Sequence, residues 1–177
     1  VGERVFCYQA QYNRQLGTAA EYVALDSARA PELPEGTSFE VGACIGIPIM
    51  TAHRCVFADG PVTGQLILVT GGAGRVGHYA IQWAHRAGAR VIATASNEED
   101  AGACRQAGAE AVTNHREPMW GKAVLDLTGG HKIDRVIDVE FGANLPALLH
   151  CVRIGATIAT FSSTVVPEPA LPFRTMM

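Results

Sequence analysis

The chain has 177 residues, 48% hydrophobic and 18% charged, which suits one full domain, or one domain with part of another, around a real core. Its net charge is −3, and it lacks a basic stripe, which argues against nucleic acid or an anionic membrane as partner. It holds no apolar run of roughly eighteen residues and no visible leader, so neither a transmembrane helix nor a targeting signal is expected.

The first stretch, "VGERVFCY", reads as the middle of a β segment, and "GTAAEYVAL" as a second short β-like run. A turn follows at "ELPEG", where Pro34 fixes φ and Gly36 permits a left-handed bend. Residues 1 to about 45 therefore read as part of a small β-rich unit. From about residue 49 strands and helices alternate. "QLILVT" is a continuous apolar run, as a parallel strand covered on both faces requires. Val76, Ala80, Trp83, Ala84 and Ala87 then recur at helical spacing, and Gly88 stops the helix. "RVIATA" is a second strand; Ser96 with Glu99 forms a capping box opening a helix that ends at Gly108.

"EAVTN" is a third strand, and Trp120 to Leu127 a weaker helix interrupted by Gly121. "RVIDV" is a fourth strand, Asn144 and Pro146 suit the start of another helix, and "TIATF" is a fifth strand. This alternation implies an α/β fold with a parallel sheet and right-handed crossovers. The chain closes on "PFRTMM" without a final periodic element, so both ends read as cut and a fragment is expected. Cys7, Cys44, Cys55, Cys104 and Cys151 are an odd, scattered set. That suits reduced thiols and a cytoplasmic location better than a disulfide framework, and the spacing resembles no zinc site.

The stretch Gly71-Gly72-Ala73-Gly74-Arg75-Val76-Gly77 carries the chemistry. Gly72, Gly74 and Gly77 match G-x-G-x-x-G directly after an apolar strand and before an amphipathic helix, the context in which that pattern cradles a dinucleotide's phosphates. NAD-binding chains place an acid near the end of the next strand to accept from the ribose 2′-OH. Here that strand ends at Ala95-Ser96, and the neutral Ser96 favours NADPH. Glu98, Glu99 and Asp100 argue the other way, although acids in a first helical turn also complement the dipole.

Together "IGIPIMTAHR", "GGAGRVGHYAIQWA", "GARVIATAS", "AGAEAVTNHRE" and "RVIDV", in this order, resemble the zeta-crystallin-type NADPH:quinone oxidoreductases. These belong to the zinc-independent branch of the medium-chain dehydrogenase/reductase superfamily. The resemblance covers nearly the whole chain. It implies that residues 1–47 are the later part of a chaperonin-10-like β-rich catalytic domain and 48–177 most of a Rossmann-type doubly wound dinucleotide-binding domain.

Position by position, the resemblance places Thr51 near the nicotinamide and Gly72 through Gly77, with Ala73, Arg75 and Val76, at the pyrophosphate. Ser96 and His115 fall by the adenosine ribose and its 2′-phosphate, and Phe161, Ser162 and Ser163 border the nicotinamide. Arg75, Asp100 and Glu140 depart from what the family carries at these places. Asp100 weakens the NADPH preference, and Glu140 is an unexpected acid at the pocket rim.

Zinc is disfavoured by the same comparison. Zinc alcohol dehydrogenases carry a four-Cys lobe where this chain has residues 6–16 with Cys7 alone, and a catalytic Cys ligand where it has Ile47.

His53, His78, His85, His131 and His150 form no ligand-like grouping, and Tyr8 and Tyr12 suit packing in a β segment. No Ser/His/Asp set, lysine nucleophile or acid pair is legible, so no catalytic residue is assigned. That suits hydride transfer, where the cofactor carries the chemistry. The expected function is an NADPH-dependent reductase of quinones or similar conjugated small molecules, without zinc. An enoyl or enone reductase is the alternative within enzymes; a non-catalytic cofactor-binding or RNA-binding protein is the alternative outside them. The family tends to form homodimers.

Overall fold

The computed structural model describes residues 2–176. Contacts divide it into two compact units, one through Met50 and one from Thr51. In the first, residues 4–8 lie antiparallel to 29–33, with Phe6 N–H donating to Pro31 O, Tyr8 N–H to Arg29 O and Leu33 N–H to Arg4 O. Val5 and Glu32 form a single β-bridge there. A 3₁₀ turn, Ser27–Arg29, and helix α1, Phe39–Cys44, complete it, with Ser38 capping α1. The expected β run "GTAAEYVAL" does not form a strand. An extended segment needs a neighbour for its N–H and C=O groups, and this one finds none among the described residues; Tyr22 is 90% exposed.

Helix α2, Ile47–Phe57, leads into the second unit. There β1 (Leu66–Val69), α3 (Arg75–Arg86), β2 (Arg90–Ala95), α4 (Glu98–Ala107) and β3 (Ala111–Asn114) alternate. They are followed by α5 (Trp120–Leu127), β4 (Ile133–Asp138), α6 (Phe141–Cys151), β5 (Val152–Thr160) and the short α7 (Phe173–Met176). The strands form one parallel sheet of order β3-β2-β1-β4-β5.

Alternation along β1 shows why the sheet is covered on both faces. Ile67 and Val69 pack with Ala52, Val56, Ala80, Ile81, Ala84 and Cys104 from α2, α3 and α4. Leu66 and Leu68 pack with Trp120, Val124 and Leu148 from α5 and α6. Each such buried aliphatic side chain contributes about 1.5–3 kcal/mol, and this double cover makes the unit a doubly wound Rossmann-type domain.

The apolar stripe expected for α3 packs on the core: Ala80 and Ala84 are buried with Gly77 and Ile81, Val76, Trp83 and Ala87 are half-buried against them, and Trp83 also meets His53 and Phe57 edge-on. Three local expectations are corrected. The cap of α4 is Asn97, which accepts from Asp100 N–H at 2.9 Å, and not Ser96. Helix α6 starts before Asn144 and Pro146. Its first amides find acceptors in the loop after β5, Phe141 N–H on Ser162 O and Gly142 N–H on Ser163 Oγ, and Pro146 sits inside the helix.

Gly121 does not interrupt α5. It lets α5 meet α6, since a Cβ there would lie 2.3 Å from Ala147 O. Cys55, Cys104 and Cys151 are buried thiols.

Two stability measurements test these points. Asn97→Ala should cost about 1 kcal/mol in chemical denaturation while Ser96→Ala costs markedly less; equal losses would return the cap to Ser96. Gly121→Ala should destabilise by about 1–3 kcal/mol through overpacking against α6.

Candidate functional site

The carboxyl ends of all five strands lie along one edge of the sheet, and the order in which strands are added switches sides between β1 and β4. That is where open α/β sheets leave a crevice for ligands. The residues just beyond the strand ends are the glycine turn after β1, Ser96 after β2, His115 after β3, Val139 and Glu140 after β4, and Phe161, Ser162 and Ser163 after β5. Thr51 stands apart from this set in the chain. It is half-buried in the second turn of α2, and among the described residues its side chain makes no hydrogen bond to that edge.

The glycines divide the geometric work differently from the simple pattern match. Gly71, which lies outside that match, makes the left-handed turn at φ 60°. Gly72 is buried, and a Cβ there would meet Cys104 Sγ at 2.8 Å and Ile81 Cδ1 at 2.9 Å. Gly74 is the N-cap of α3 and is exposed; its Cβ would lie 3.1 Å from Gly71 O. Gly77 packs hardest, with a Cβ position 2.4 Å from the same oxygen.

Helix α3 can therefore start almost on top of the strand end. Its first amides, at Arg75, Val76 and Gly77, have no protein acceptor among the described residues, as first-turn amides do. Arg75 and Gly74 are exposed, and Ala73 and Val76 half-buried against the core. The turn offers N–H groups and the positive end of a helix dipole to an anion, and leaves no side chain at Gly74 to keep it away.

Three buried polar residues at strand ends hold the turn: Thr94 of β2, Thr70 just after β1 and Asp138 of β4. Thr94 of β2, fully buried, accepts Gly71 N–H on its hydroxyl at 3.0 Å and Gly72 N–H on its carbonyl at 2.8 Å. On the other side, Thr70 Oγ1 donates to Asp138 Oδ1 at 2.7 Å and accepts Val139 N–H at 3.0 Å. Asn144 donates to the same Oδ1 at 2.8 Å, while Asp138 Oδ2 is buried without a partner. Burial pushes the Asp138 carboxyl up from its ordinary range, against its hydrogen bonds to Asn144 and Thr70. Thr70, Thr94 and Asp138 were missed from the sequence. The signal for them was a polar residue at or just past the end of an apolar strand buried on both faces, which must be hydrogen-bonded to be tolerated.

Glu140, expected as a rim acid, is engaged. Its carboxylate accepts N–H from Thr164 at 2.7 Å, Val165 at 3.0 Å and Val166 at 3.4 Å. Desolvation acts upward on its pKa, and the backbone donors hold it below the ordinary value. Ser163 accepts from Gly142 N–H and donates to Val166 O, and Ser162 Oγ pairs with Thr164 Oγ1. The Phe161 N–H donates to Asp138 O and its ring packs on the core.

At the other end, His115 N–H donates to Ala95 O at 3.2 Å, which sets it beside Ser96. Ser96 Oγ lies 3.5 Å from Asp100 Oδ2. No group of three or more His, Cys, Asp or Glu that could hold a metal occurs among the described residues. Nor is any helix there long and apolar enough to cross a membrane.

Residues 76–177 match the zinc-binding dehydrogenase family. The quinone oxidoreductase of Homo sapiens is 34% identical over 148 residues, 83% of this chain and 45% of that protein. The crotonyl-CoA reductase of Streptomyces avermitilis is 30% identical over 173 residues, covering 86% and 39%. The chain thus spans less than half the length of these relatives. Among solved structures, an NAD-dependent alcohol dehydrogenase superposes with TM-score 0.81 at 35% identity, covering 90% of this chain and 47% of its own. A mycobacterial protein complexed with NADPH superposes with TM-score 0.80 at 31% identity, covering 89% and 49%. The chain belongs to the zinc-binding dehydrogenase family and, within it, is similar to the zeta-crystallin-type quinone oxidoreductases.

Proposed function

We propose that this chain is the cofactor-binding part of an NADPH-dependent oxidoreductase that passes hydride to a quinone or similarly conjugated small molecule. One observation carries the reading: three unpaired amides and a bare N-cap glycine at the carboxyl edge of a doubly wound sheet. These fit a dinucleotide's diphosphate. When bound, the nicotinamide supplies the hydride, and the residues of this chain bind, orient and exclude water.

Gly72 through Gly77 would hold the diphosphate, with Ala73, Arg75 and Val76 between the glycines. Ser96 and His115 would flank the adenosine ribose. Phe161, Ser162 and Ser163, braced by Glu140 and Ser163's own bonds, would border the nicotinamide, and Thr51 would approach it from α2. Residues 1–47 belong, on this reading, to the catalytic domain and 48–177 to the dinucleotide domain. We further propose zinc-free chemistry, since Ile47 stands at a catalytic ligand position, and a cytoplasmic, homodimeric protein. The similarity to a crotonyl-CoA reductase favours a second reading, reduction of an enone or enoyl thioester at the same edge.

Fluorescence titration of the purified protein with NADPH should show saturable binding. Gly74→Val should weaken it by at least about tenfold, because the new side chain enters the diphosphate's space, and should also lower the unfolding midpoint, since its Cβ would lie 3.1 Å from Gly71 O. Unchanged affinity would remove the glycine turn from the site. With NADPH bound, oxidation should accelerate on adding quinones; acceleration by enoyl thioesters but not by quinones would install the second reading.

A further inference from the structure

At the carboxyl ends of β2 and β3, where the proposed function puts the adenosine ribose, the charges form an unusual set. Asp100 of α4 reaches back to this edge, its Oδ2 lying 2.8 Å from Asn97 Nδ2 and 3.5 Å from Ser96 Oγ. His115 closes the same edge from β3, and its Nδ1 is buried without a hydrogen-bond partner. The charged groups around His115 are few. Asp100 faces it from α4 and Arg116 follows it in the chain. Glu98 and Arg105 of α4 line the adjoining hollow between α4 and β3 but are paired to each other at 2.7 Å. Burial first, and Arg116 second, hold the imidazole's pKa below its ordinary value, with Asp100 acting the other way. His115 therefore favours its neutral form.

We propose that Asp100 and His115 together make the choice between a 2′-phosphorylated and an unphosphorylated dinucleotide depend on pH. The proposal rests on the reading that this edge holds a dinucleotide. A ribose 2′-OH meets a carboxylate able to accept its proton, with no change of charge required. A 2′-phosphate, close to a dianion at pH 8, meets that carboxylate as a like charge. The group beside it that can change sign is His115, which takes one solvent proton onto its imidazole and then offers both a charge and a donor.

The sign follows from linkage. In the free protein the imidazole titrates below its usual range, and beside the phosphate it titrates higher. Between those two values binding takes up a proton, so affinity for the phosphorylated cofactor rises as pH falls. The phosphate itself takes up a proton with a pKa of about 6, so the gain levels off toward the acid end of the range.

The test compares dissociation constants of NADPH and NADH from pH 8 to pH 6.5 by fluorescence titration. NADPH should tighten by about tenfold across that window while NADH stays constant. His115→Asn should abolish the slope for NADPH. Asp100→Asn should strengthen NADPH several-fold at pH 8, where the phosphate is nearly a dianion and the lost carboxylate was a like charge. Calorimetry of the unmodified protein in two buffers of different ionisation enthalpy reads the same event without a variant: proton uptake with NADPH and none with NADH.

An NADPH slope of equal size in His115→Asn, or NADPH binding without proton uptake, would overturn the proposal alone. Failure of both nucleotides to bind at any pH would overturn the dinucleotide reading and the proposal with it.

Discussion

Gly71 O is the point on which the site turns. It accepts the Gly74 N–H, and the Cβ positions of Gly74 and Gly77 both converge on it. Because no side chain intervenes, the first turn of α3 can rest against the end of β1, and its unpaired amides face outward at the level of the sheet edge. A methyl group at residue 77 would push the helix away by more than packed neighbours tolerate. The register of α3 over the sheet, and so the burial of Ala80, Ile81 and Ala84, depends on the same approach.

A turn so short is held from outside. Thr94 grips it from β2, and the Thr70–Asp138–Asn144 chain grips it from β4 and α6. These are buried hydrogen bonds, worth about 1 kcal/mol each when made and more when one partner is lost. Their larger effect is geometric. They tie the ends of three neighbouring strands to one another, so the amides of α3 stand in a fixed relation to the loops after β4 and β5.

Much of this was legible in the sequence because the physics involved is periodic. A continuous apolar strand, a 3.6-residue stripe and glycines at a strand-to-helix junction each leave a mark along the chain, and the five parallel strands and the glycine turn followed from them. What escaped depends on contacts between distant segments. Asn97 and Ser96 are equally good caps by residue type, and the choice is made by which side chain faces the Asp100 N–H. The start of α6 is set by acceptors from a loop twenty residues further on. Gly121 looks like an interruption until α6 is placed against it. The run at residues 17–25 has the composition of a strand but no neighbour to pair with. Gly71 was passed over because pattern matching favoured the glycine with the right spacing over the one with the positive φ.

The three amides that Glu140 gathers from residues 164–166 resemble, in miniature, the arrangement at the start of α3. One is filled by a tethered acid, the other is open. A chain with a neutral residue at 140 would present two anion receptors on one rim, and a free diphosphate could lodge at either. With Glu140 plugging one of them internally, the start of α3 is the one of these two left open, and on the proposed function a ligand's negative end would be directed there.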